Sequence, residues 1–85
     1  MFLARVFISL KPTVNDPQGL TIQGSLHQLG FDSVTMVRAG KYIQLSVAES
    51  EESVAAKQVE EMCEKLLANP IIEQFRYELE RIDDP

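Results

Sequence analysis

The sequence predicts a single α+β domain in the order β-α-β-β-α-β, with a four-stranded antiparallel sheet and both helices on one of its faces. Three observations carry this. The chain has 85 residues, room for one core and not for two. Its first ten residues alternate with a period of two, as a half-buried strand does. Two later stretches carry apolar residues at spacings of three and four between helix start and stop signals.

The elements follow in order. In the strand Phe2 to Lys11, Ala4, Val6, Ile8 and Leu10 lie on one side and Leu3, Arg5, Phe7 and Ser9 on the other. Lys11-Pro12-Thr13 ends it. Asp16 is placed as a helix N-cap with Pro17 at the first helical position, where its missing N–H costs nothing. The first helix runs to about Leu29, with Gly30 as a left-handed stop. Ile22, Leu26 and Leu29 fall together on a helical wheel and define its core stripe. Two short strands are expected over Ser33–Ala39 and Lys41–Ala48, with Gly40 in a tight turn between them. Ser50 is placed as the cap of the second helix, which runs to about Ala68. Its stripe is Ala55, Val59, Met62, Cys63, Leu66 and Leu67, and Asn69-Pro70 terminates it. The last strand, Ile71 to about Ile82, sets Phe75, Tyr77 and Leu79 against Gln74, Arg76, Glu78 and Glu80. Asp83-Asp84-Pro85 is expected to be a frayed tail of one domain spanning 1–85. Two right-handed βαβ halves interleaved in this way give the ferredoxin-like plan.

Composition narrows the functions. Thirteen acidic residues against eight basic ones give a net charge of −5, which argues against nucleic acid or an anionic membrane as the main partner. The single cysteine, Cys63, permits no internal disulfide. No apolar run approaches the ~20 residues that span a bilayer, and the first residues read as a strand rather than a signal peptide. A soluble cytoplasmic protein is the expectation. A domain this small buries only about 60–65% of its unfolded surface, so a second copy or a permanent partner is expected to supply further burial. With Val6 and Ile8 facing the helices, Leu3, Phe7 and Tyr42 point to the uncovered sheet face, a candidate self-association patch.

The first helix raises a narrower question, because a glycine in a helix interior costs about 1 kcal/mol. Gly19 lies at the edge of the core stripe and is expected to let the helix sit close on the sheet. Gly24 lies on the far side between Leu20 and His27, where a notch helps only if something outside the chain presses into it.

A search for chemistry finds none. His27, the only histidine, has no ligand partners at metal spacing, and Cys63 sits within an apolar stripe. Nucleophile-elbow, Walker A and dinucleotide motifs are absent. Arg38 and Lys41 bracket the Gly40 turn and could hold an anion or a partner carboxylate. No catalytic, cofactor-binding or metal-binding residue is assigned.

Four blocks in register carry a resemblance: Asp16-Pro17-Gln18-Gly19; Gln23-Gly24-Ser25-Leu26-His27-Gln28-Leu29-Gly30-Phe31; Val37-Arg38-Ala39-Gly40-Lys41; and Met62 through Glu73. Together they resemble the PurS family, the small subunit of phosphoribosylformylglycinamidine synthase. The resemblance implies a non-catalytic part in the fourth step of de novo purine biosynthesis. In that step formylglycinamide ribonucleotide becomes formylglycinamidine ribonucleotide, using ATP, magnesium and ammonia from glutamine. It further implies a homodimer or homotetramer that joins a large synthetase subunit (PurL type) to a glutaminase subunit (PurQ type). Partner contacts would then fall on Asp16, Gln18, Leu20, Gly24, His27, Arg38, Gly40 and Lys41. Leu20 and Thr21 stand where many relatives carry a basic residue, so an apolar contact would replace a salt bridge there. The competing reading is a ferredoxin-like module that senses small molecules; a nucleic-acid module fits the acidic charge less well.

Overall fold

The first strand, β1 (Phe2–Leu10), is the centre of the molecule. It pairs antiparallel with β2 (Gly40–Val47) on one side and β3 (Glu73–Arg81) on the other, giving the order β2-β1-β3. The alternation read from the sequence is realised, with Phe2, Ala4, Val6 and Ile8 buried. Register sets Ile43, Leu45 and Val47 beside them from β2 and Phe75, Tyr77 and Leu79 from β3, forming one apolar face. The computed structural model describes residues 1–82, and the expected tail 83–85 lies outside them.

The helix α2 (Glu52–Met62) covers this face through Ala55 and Val59. It runs directly into a π-helical turn, Cys63–Leu67. Cys63 continues the buried stripe, but the wider turn rotates Leu66 into solvent, where it is 83% exposed. The expected stripe thus holds at Ala55, Val59 and Cys63 and fails at Met62 and Leu66. Glu51, not Ser50, occupies the N-cap position, and it makes no side-chain cap bond. Asn69 closes the far end, its Oδ1 accepting the Ile71 N–H while its own N–H donates to Glu73.

The four-stranded expectation is overturned: the sheet has three strands. Residues 33–39 have strand-like composition but form no ladder, because their polar groups turn toward α1 (Pro17–Gln28) and its cap. There is accordingly no β-hairpin turn at Gly40, which instead opens β2 opposite Ser9. The helix α1 also departs from expectation, since it stands off the sheet rather than covering it. Ile22 and Leu29 of its predicted core stripe are exposed, and Gly19 is its only buried residue. The radius of gyration is 16.6 Å, against about 12 Å for a compact domain of this length. The molecule is therefore a small sheet-and-helix body with a projecting arm, formed by α1 and the segment 31–39 that returns along it.

Candidate functional site

The arm is built at its base by Asp16. This residue caps α1 in an extended backbone conformation, with Pro17 following as predicted. Its Oδ1 accepts the Gly19 N–H at 2.9 Å and its Oδ2 the Ala39 N–H at 2.7 Å. One carboxylate thus joins the outgoing and returning legs. The Gly19 and Ala39 N–H groups hold the carboxyl below its ordinary range, with the Arg38 charge assisting. A Cβ at Gly19 would overlap the Val37 carbonyl oxygen and come within 2.9 Å of Asp16 Oδ2. The close approach that needs this glycine is to the returning leg, not to the sheet.

Further out, His27 donates from Nε2 to the Val34 carbonyl at 2.7 Å, and Gln23 Nε2 reaches the Thr35 carbonyl at 3.4 Å. The helix ends in a Schellman motif: the Phe31 N–H bonds the Leu26 carbonyl, the Gly30 N–H bonds the His27 carbonyl, and Gly30 has φ 97°. The outer side carries Leu20, exposed, and Gly24, where an added Cβ would meet nothing within 4 Å.

The predicted contact residues fall into three places. Asp16, Gln18, Gly40 and Lys41 line one open cleft between the start of α1 and the end of the sheet. Leu20, Gly24 and His27 lie along the arm. Arg38 points to another cleft with Pro12, Met36 and Gln74, and donates from Nη2 to the Lys11 carbonyl at 3.0 Å. Lys41 pairs with Glu73 at 3.5 Å. Two of these charges therefore have partners within the chain, and Arg38 and Lys41 do not flank a common turn.

The uncovered sheet face presents Leu3, Phe7 and Tyr42 together, as alternation required. Phe7 and Tyr42 are cross-strand partners with ring centroids 5.1 Å apart. Arg76, opposite Phe7 on β3, lies with its guanidinium carbon 3.9 Å from the ring centroid. Arg5 is ion-paired to Glu80. Sequence reasoning missed Arg76 and Glu80 as parts of this patch; the signal was their place on the polar side of the last strand, which register carries next to Phe7 and Arg5.

On the other face Cys63 is buried, and burial, with Glu64 and Glu60 nearby, pushes its thiol up. The Tyr77 hydroxyl donates to Glu60 at 2.7 Å, and that bond raises its own pKa. Among the described residues no three His, Cys, Asp or Glu side chains gather as a metal site would require. Nor is any described helix long and apolar enough to cross a membrane.

Residues 3–81 match the family model described as PurS: Phosphoribosylformylglycinamidine (FGAM) synthase. The chain belongs to the PurS family. Among relatives, the phosphoribosylformylglycinamidine synthase subunit PurS of Bacillus subtilis is 45% identical over 82 residues, 96% of each chain. The solved PurS of Methanocaldococcus jannaschii is 43% identical and superposes with a TM-score of 0.87 over 98% of this chain and all of that one. A chain in the structure of PurLQS from Thermotoga maritima is 29% identical, with a TM-score of 0.83 over 93% of this chain and 98% of that one. The small α+β shape with its projecting arm is therefore the PurS shape, and the match extends through both the arm and the sheet.

Proposed function

We propose that this chain is the non-catalytic assembly subunit of phosphoribosylformylglycinamidine synthase, joining a PurL-type synthetase subunit to a PurQ-type glutaminase subunit. The observation that carries this is its likeness to the chain in PurLQS, which runs through nearly the whole of both chains. The geometry supports it: a core of nine buried residues on one side of a sheet supports surfaces rather than a reaction centre. ATP, magnesium and glutamine are used by the complex, and this chain holds none of them. The protein works in the cytoplasm as a homodimer or homotetramer.

Contacts are divided by surface. The outer side of the arm, with Leu20 and Gly24, meets a larger subunit, and the cleft at Gln18, Gly40 and Lys41 lies beside that contact. The Phe7–Tyr42–Leu3 face meets another copy. Co-elution tests the assembly role: mixed with both larger subunits, ADP and glutamine, the chain leaves a sizing column with them as one species. Separate elution of all three under those conditions would contradict it.

A further inference from the structure

Asp16 is the one charged side chain that is buried among the described residues, at 5% exposure. Its position in the fold is unusual in what it replaces. No residue of the arm belongs to the hydrophobic core, whose members all come from β1, β2, α2 and the turn and short link after it. The hydrophobic core therefore does not fix the arm to the body. Polar bonds hold its legs, and those of His27, Gln23 and Arg38 are exposed to competing water. The two accepted by Asp16 are sheltered and charge-assisted, roughly twice as strong as neutral ones. They also act where leverage is greatest, at the base, where the chain leaves β1 and returns to β2. Gly19 supplies the space that lets the two legs close on this carboxylate.

We propose that Asp16 is a positioning residue for assembly, a clasp between Gly19 and Ala39 that sets the angle of the arm and so aims its outer side at the partner. This rests on the assembly role proposed above, and it gives Asp16 an indirect part in place of a direct contact. The carboxylate is buried with each oxygen already accepting a backbone N–H, so it offers a partner little surface while the clasp is closed.

Two readouts separate the possibilities. Residual dipolar couplings of backbone N–H groups report the orientation of α1 relative to β1, and binding titrations report affinity for the larger subunits. In the wild type, one alignment tensor fits both elements. In Asp16→Asn, which keeps the shape but turns an amide donor toward one N–H, and in Asp16→Ala, the α1 couplings no longer fit the β1 tensor. Affinity falls about tenfold for the asparagine variant and further for alanine. Unchanged β1 couplings verify that the body remains folded. Weakened binding with unchanged α1 couplings would overturn the proposal in favour of direct contact. Altered couplings with full affinity, or no change in either, would also overturn it. The couplings, measured without partners, judge the clasp apart from the assembly role, which the wild-type affinity judges.

Discussion

Gly19 and Gly24 cost α1 the same propensity, about 1 kcal/mol each relative to alanine, yet only Gly19 has a reason inside the chain. Val37 and Asp16 crowd it, whereas Gly24 faces open space. The sequence places both correctly on the helix, but a wheel cannot show that the crowding comes from the returning leg, because that leg has the composition of a strand. Asp16 was legible as a cap from the Asp-Pro pair. Its second bond, to a residue 23 positions on, had no local signal. The carboxylate also carries a pH dependence. Its pKa is depressed in the fold by the Gly19 and Ala39 N–H groups, so its contribution is present above the unfolded value and is lost as pH falls through the folded one. The clasp is therefore intact at pH 5 and opens only in stronger acid, below the ordinary aspartate value of about 3.9. Following the Ala39 amide by NMR during acid titration should give a midpoint under that value, and a midpoint above it would contradict the assignment.

At the scale of elements, β1 was readable because it is central: both neighbours contribute apolar residues to the same face, so alternation in one strand forecasts the whole layer. Phe2, 1% exposed at the end of that layer, shows its weight. Replacing it with alanine should cost about 3–5 kcal/mol, measurable by chemical denaturation. That is a large share of a stability on the order of 5–15 kcal/mol. The α1 stripe misled because Ile22 and Leu29 obey a helical period without any surface of this chain to meet. Periodicity reports an apolar face, and it does not report whose core that face enters. The Ser33–Ala39 segment misled in a similar way: its β-branched and apolar content suits a strand, but a strand also needs an edge, and here the Ala39 N–H and the Val34 and Thr35 carbonyls are held by α1 and its cap. The outer side of α1 makes the matching test. Gly24→Phe adds a ring to a position where nothing in the chain opposes it, so thermal stability should be nearly unchanged. Binding to the larger subunits should fall at least tenfold if that surface is pressed against a partner.

The whole molecule exposes several large apolar side chains. Leu20, Leu29, Phe31 and Met36 line the arm, and Leu66 and Ile71 project from the body near the π-helical turn. With a net charge of −5 spread around them, these patches are suited to protein partners and not to a polyanion. An elongated chain, 49 × 29 × 15 Å, with a thin core and a polar-clasped arm, is built to touch several surfaces at once. The proposed assembly role gives those surfaces their partners. The most direct test is glutamine-dependent turnover by the two larger subunits with and without this protein. The account predicts that synthesis from glutamine requires stoichiometric addition of this chain, while the chain alone turns over neither glutamine nor ribonucleotide. Full glutamine-dependent synthesis in its absence would contradict it.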